Sequence, residues 1–421
     1  MMNAYKWVGW GFLPLMLSKD QIKKILSAQP WKHWTSNLSP EQIKDIRRFY
    51  TRPSAEKLRP LDGGRYFLKM DSSSLGQLHC STDQYQITLE RLQLLVINDV
   101  CLLYFHVNSS LNYEGSAISS INRSAFSWQP KTKNSHCTNW KNKTGDSGTL
   151  YEHICKILTI SLENDDYYSN DVFGHELINC SWIKSEGELS YDKLCISQLS
   201  AGIDLSNPRY TLSNEEIGKL RNRQFSHWKD WCCQFNLNRF VFLDQTPGVS
   251  SLQYNLFEYH YYLDLFAMVI FQRISLNHYK DELILGSKKS KTALFKKISR
   301  FRSQYRISHI STYPFAQKLY QYLCDEAELD KIEEKSLSEI EYSYALWRQE
   351  KQETNDSVLM FISLIAALLL PASSLATIFA LNNDQMGSLF WFSTALVTII
   401  TFLAVAVPPI RKYIKDYYSK Y

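Results

Sequence analysis

Residues 358–379 read Val358-Leu-Met-Phe-Ile-Ser-Leu-Ile-Ala-Ala-Leu-Leu-Leu-Pro371-Ala-Ser-Ser-Leu-Ala-Thr-Ile-Phe379, without one charged side chain. As a helix rising about 1.5 Å per residue, this run is long enough for a hydrocarbon core of roughly 30 Å. A short polar connection, Ala380-Leu-Asn-Asn-Asp-Gln-Met-Gly-Ser388, leads to a second uncharged run, residues 389–407. Arg348 and Lys351 precede the first run, and Arg411, Lys412, Lys415 and Lys420 follow the second, whereas the connection has no Lys or Arg. The positive-inside rule then predicts two transmembrane helices, both termini in the cytoplasm and a multi-pass protein of the cell inner membrane.

Working back from that run, residues 329–355 are rich in Glu, Lys, Leu and Ser and contain no Gly or Pro. Leu337, Ile340, Tyr344 and Trp347 step by three, four and three, the stripe of a bundle or coiled-coil helix. With no breaker before Val358, the spacing predicts one long helix entering the first span, and Pro314 marks the break before a shorter helix over 315–324. Asp356, Ser363, Leu370 and Thr377 fall on a seven-residue spacing and share one stripe. A polar stripe headed by an aspartate is unusual for a lipid-facing helix and points to a pore lining supplied by several copies, with small-residue helix packing as the other reading. Pro371 inside the run suggests a kink.

The chain has 421 residues, 45% hydrophobic and 21% charged, with a net charge of +5. This excludes a disordered or low-complexity protein and is too mild to argue for nucleic acid. Nine cysteines without a CxxC pair read as reduced thiols rather than a disulfide framework. His79-Cys80, His136-Cys137 and His153-x-Cys155 lack the paired spacing of a zinc site and read as scattered core residues. The apolar segment 7–17 lacks a small-residue cleavage site and is too short to span a bilayer, so it reads as a buried strand or loop.

Within residues 1–290, segments 65–70, 85–107 and 239–243 read as strands, 85–107 as an alternating pair around Asn98-Asp99. Residues 254–281 read as a helix with a heavily aromatic face, and 108–150, rich in Ser, Asn and Lys, as a long loop. No catalytic motif is present, and Gly286-Ser-Lys-Lys-Ser-Lys-Thr292 lacks the second glycine of a phosphate loop. Lys288, Lys289, Lys291, Lys296, Lys297, Arg300, Arg302 and Arg306 form a dense basic segment. It reads either as a solvated helix face or as a site for a phosphate-bearing ligand or lipid head groups.

The arrangement over residues 301–415 resembles the CorA-like metal-ion transport superfamily. Leu370-Pro371 with Ser373-Ser-Leu-Ala-Thr-Ile-Phe379 looks like that family's proline-containing end of the first span. The family's Gly-Met-Asn signature falls on Ala380-Leu381-Asn382, where only the asparagine is kept. The resemblance implies an α/β cytoplasmic domain (1–290), a helical stalk (291–356), two transmembrane helices (357–379 and 389–408), an external loop (380–388) and a basic tail (409–421), assembled as a homo-pentamer. It implies a non-enzymatic cation channel or transporter, with a divalent cation such as magnesium as the transported ion. Asn382, Asn383 and Asp384 would receive the ion. Gln272-Arg-Ile-Ser-Leu276, Phe301-Arg-x-x-Tyr305 and Ile307-Ser-His-Ile-Ser311 look similar to a divergent bacterial branch that accompanies type III CRISPR systems in antiviral defence. That branch implies opening by a nucleotide second messenger of the S-adenosylmethionine–AMP kind. A housekeeping magnesium-type transporter and a membrane-anchored scaffold are the alternatives. The partners so implied are further copies of the chain, membrane lipid and a small nucleotide, not nucleic acid.

Overall fold

The computed structural model of the chain describes residues 4–97, 100–109, 111–128, 138–160, 176–186, 196–203, 205, 212–236, 238–245, 261–285, 288–381, 392–393, 395–396 and 399. In chain order the elements are β1 (Ala4–Leu15), α1 (Lys19–Ala28), β2 (Lys32–His33), α2 (Pro40–Arg48), α3 (Arg52–Leu58), β3 (Arg65–Lys69), β4 (Leu78–Ser81), β5 (Gln86–Ile97) and β6 (Val100–Ser109). They continue with α4 (Gly115–Ser124), β7 (Trp140–Lys141), β8 (Ser147–Gly148), α5 (Leu150–Leu158), β9 (Ile178–Glu186), α6 (Ile196–Ser200), α7 (Asn214–Asn222), β10 (Trp231–Asn236) and β11 (Arg239–Asp244). Four helices complete the described chain: α8 (Tyr261–Leu285), α9 (Lys288–Tyr305), α10 (Pro314–Glu326) and α11 (Leu329–Leu381).

All eleven strands belong to one mixed sheet in the order β10-β11-β9-β1-β6-β5-β4-β7-β8, with β2–β3 branching from β5. β5 serves two neighbours on one edge because its register shifts between Leu89 and Arg91, leaving Gln86–Leu89 to β4 and Arg91–Leu95 to β3. The central strands are covered on both faces, and residue parity decides the face. On one side Trp7, Leu13 and Leu15 of β1 and Leu103, Phe105 and Val107 of β6 join Ile118 and Ile121 of α4 and Ile154 of α5 in a buried cluster. On the other, Phe12 meets Tyr104 at 4.8 Å and Phe266 of α8 edge-on at 5.3 Å. Capping boxes at Ser18–Gln21, Ser39–Gln42 and Thr149–Glu152 start α1, α2 and α5. The stretch expected as a loop over 108–150 contains α4, whose Ile118 and Ile121 are three apart and fully buried; two apolar side chains on one face hold a helix in a polar segment.

The chain divides into two compact units, residues 1–337 and 338–421, and the boundary falls inside α11. α11 runs from Leu329 to Leu381, as the breaker-free sequence implies. The expectation of two transmembrane helices is corrected, and with it the CorA-like membrane architecture and the multi-pass inner-membrane location. Among the described residues no helix is long and apolar enough to cross a membrane. The first half of α11 is densely charged. Within the uncharged run, Ser363, Ser373 and Thr377 turn their hydroxyls back onto the carbonyls of Leu359, Leu370 and Ser373, so the described side chains there are a mixture of apolar and hydroxyl-bearing residues. Of residues 389–407 only 392–393, 395–396 and 399 are described, so the second expected span lies outside the described residues.

His106 of β6 is buried, with its Nδ1 3.2 Å from Glu90 Oε2. Burial pushes the His106 pKa down, and the imidazole beside Glu90, with Asn108 donating to its other oxygen at 3.0 Å, holds that carboxyl down to about 2. Both shifts give the same sign. The folded state binds fewer protons than the unfolded chain, so stability is complete above the unfolded His value near 6.5 and declines as pH falls below it. The Glu90 contribution holds above its unfolded value near 4.5 and is lost as pH falls towards 2. Urea unfolding at pH 7 and 5 should show the loss, and His106→Gln should flatten it; an equal slope in the variant would assign the acid sensitivity elsewhere.

Candidate functional site

The basic segment becomes α9 and the residue after it. Leu294, Ile298, Phe301 and Tyr305 step by four, three and four and are buried. They place Phe301 6.0 Å and Tyr305 5.3 Å from Phe271 of α8. Gln272 of α8 locks the packing: its Nε2 donates to Tyr305 O at 2.7 Å and to Tyr320 Oη of α10 at 2.9 Å. The opposite face of α9 carries Lys296 and Arg300, exposed and without an ion-pair partner among the described residues. Lys297 lies 3.6 Å from Glu282 of α8, whose other oxygen is 3.9 Å from His278. Lys288, Lys289 and Lys291 belong to α9, but their side chains lie outside the described residues.

Arg302 and Arg306 are engaged differently. Glu333 of α11 accepts from Arg302 Nε at 3.2 Å on one oxygen and from Arg306 Nε at 2.6 Å on the other. Arg306 also reaches Asp330, one turn earlier. Among the described side chains of the basic segment, Lys296 and Arg300 face solvent, Lys297 lies beside Glu282, and Arg302 and Arg306 clasp the start of α11.

Between α8 and α9 a narrow crevice of about 300 Å³, its open mouth included, is lined by Val100, Phe271, Ser275, His278, Tyr279 and Lys297. Ser275 Oγ is buried there without a hydrogen-bond partner. A second cavity, about 380 Å³, lies at the start of β9 and β11 between Glu176, Ser200, Asn236, Asn238 and Arg239. Arg239 forks onto both oxygens of Glu176, with Nε at 2.7 Å. The fork lies against Gly202, at φ +71°, where any side chain would collide with the guanidinium.

A buried ionic cluster escaped the sequence reading. Asp264 Oδ2 accepts from Arg59 Nη2 and Arg65 Nη1, both at 2.9 Å, and from Tyr50 Oη at 3.0 Å. The one signal for it was Asp264 itself, a lone carboxylate in the apolar stretch 261–271. Burial, then the Asp264 carboxylate, push the Tyr50 pKa well up, so the phenol stays a donor.

Asp356, Ser363, Leu370 and Thr377 all lie on α11 and are exposed. Asn382, Asn383 and Asp384 lie outside the described residues. Among the described residues no group of three or more His, Cys, Asp or Glu side chains could hold a metal ion. His153 Nε2 donates to the Trp140 carbonyl instead, at 3.0 Å, and Cys80 is a buried free thiol. No known protein-family model and no curated protein matches this chain.

Proposed function

We propose that the α/β unit is a non-enzymatic regulatory module that binds a phosphate-bearing nucleotide on the basic face of α9. A second messenger of the S-adenosylmethionine–AMP kind, acting in antiviral defence beside a type III CRISPR system, is the first ligand to test, on the resemblance of residues 272–276, 301–305 and 307–311. The observation that carries the reading is the pair Lys296 and Arg300, two cations on one exposed helix face without an ion-pair partner among the described residues. Lys297, next in sequence to Lys296, lines the crevice with the orphan Ser275 hydroxyl, a donor that a bridging water would satisfy. The partner proposed for α11 is a second copy of the chain: Leu359, Ser363, Ala366, Leu370, Ser373 and Thr377 step by four and three and are all exposed.

Hydrogen bonds to a charged ligand contribute about 1.5–3 kcal/mol each when desolvated. Lys296 and Lys297 are both exposed, so the lower end applies to the two together. Lys296→Gln with Lys297→Gln should weaken nucleotide binding about tenfold, or 1.4 kcal/mol. Titration calorimetry with the S-adenosylmethionine–AMP conjugate, ATP and AMP reads this directly. Equal affinity of parent and double variant would leave α9 as a solvated face and end the proposal.

A further inference from the structure

Glu333 does for Arg302 and Arg306 what an anionic ligand would do. Its carboxylate sits between the two guanidinium groups, one oxygen to each, and Asp330 takes a further N–H of Arg306. The Glu333 side chain is 13% exposed and that of Arg306 24%, so this contact is largely withdrawn from water. Guanidinium forks accept carboxylate and phosphate in the same geometry. The N–H groups that face Glu333 can therefore serve an internal carboxylate or an external phosphate, but not both at once.

We infer that Glu333, with Asp330, is a built-in competitor for the ligand, and that a phosphate group arriving along α9 displaces these carboxylates and frees the first turns of α11. The inference rests on the reading of α9 as the ligand-binding helix and adds how occupancy reaches α11. Lys296 and Arg300 make the first contact because no described residue pairs with them. Arg302 and Arg306 follow, about half a turn beyond Arg300 and just past the end of the helix. The gain for the ligand is a phosphate with more charge and more acceptor oxygens than the carboxylate it replaces. The loss is the clasp between α9 and α11, and its loss is the output. A purely structural clasp predicts the opposite behaviour on removing Glu333: a looser protein with no gain in anion affinity.

The test uses the full chain with inorganic pyrophosphate as the probe, measured by titration calorimetry, and hydrogen exchange over residues 330–337. Glu333→Gln should bind pyrophosphate at least fivefold more tightly than the parent, and Arg302→Gln with Arg306→Gln should lose most of the binding. Pyrophosphate should speed exchange over 330–337 in the parent, while Glu333→Gln should exchange fast without it. Affinity in Glu333→Gln equal to or below that of the parent, or exchange unmoved by pyrophosphate, overturns the competitor. Asp330 is 80% exposed, so Asp330→Asn keeps the fold if Glu333→Gln does not, and its affinity, raised or unraised, then decides. If Lys296→Gln with Lys297→Gln weakens binding while Glu333→Gln fails to tighten it, the competitor falls and the ligand reading stands. If neither the parent nor Glu333→Gln binds pyrophosphate, both fall.

Discussion

Asp264→Asn is expected to cost about 3–5 kcal/mol of folding stability, the loss typical when one partner of a buried ionic group is removed and the other charges stay. Two guanidinium groups, from Arg59 and Arg65, share the one carboxylate oxygen, and all three side chains are buried. Removing the charge leaves both arginines in a low-dielectric interior facing an amide. Arg65 keeps its bonds to the Leu58 carbonyl and Gln93, and Arg59 keeps its place over the Trp34 ring, but none of these carries negative charge. Tyr50→Phe removes only a hydrogen bond to the carboxylate and should cost about 1.5–3 kcal/mol. The penalty belongs to the unpaired charges rather than to the ion pairs, so Asp264→Leu with Arg59→Met and Arg65→Met should recover much of the stability. Urea unfolding of the single and triple variants separates these terms. A midpoint for Asp264→Asn close to that of the parent would mean that water or a rearranged acid already serves the arginines.

The cluster also matters to the proposed ligand helix. Tyr50 and Arg59 flank α3, Asp264 lies on α8, and α8 holds α9 through Gln272 and Tyr305. Lys57 of α3 lies over the Tyr305 ring at 5.1 Å. A loosened Asp264 should therefore lower ligand affinity as well as stability, without any change in the residues that touch the ligand.

What was legible in the sequence was what a local period can carry. The alternation in 85–107 gives β5 and β6 because each side chain two along returns to the same face. Leu337, Tyr344 and Trp347 mark a helix, and in the structure the Tyr344 and Trp347 rings stack at 5.5 Å. The basic segment was visible as composition, but composition could not say that Glu333 had claimed two of its arginines. That pairing spans 27 residues for Arg306, and the Asp264 cluster joins residues 199 and 214 apart; no local pattern reports such distances. α4 was hidden for a different reason: Ser and Asn favour turns when exposed, and only burial of Ile118 and Ile121 overrides them. The uncharged run at 358–379 predicts a spanning helix, whereas among the described residues no helix is long and apolar enough to cross a membrane.

Gly9→Ala and Gly11→Ala are each expected to cost up to about 3 kcal/mol, the upper end of the ordinary overpacking range. β1 is paired along both edges, with β6 and β9, so its backbone has little freedom to shift. Both glycines lie on the face that carries Trp7 and Leu13, and Phe126 fills the space above them. A Cβ at Gly9 would stand 2.3 Å from the Trp7 ring and 2.8 Å from Phe126; at Gly11 it would stand 2.6 Å from Phe126. Trp7 and Phe126 are fully buried and pack together at 6.0 Å, so neither ring can swing aside into solvent. The requirement is one of space: in an extended strand alanine is otherwise at least as good as glycine. Trimming the neighbour should therefore compensate. Phe126→Leu alone leaves a gap and destabilises, but combined with Gly11→Ala it should cost less than the two changes added, with a coupling of about 0.5–3 kcal/mol. A double-mutant cycle measured by urea unfolding checks the sign. Strict additivity would show that Phe126 does not occupy the space above Gly11 and that the glycines serve the strand in some other way.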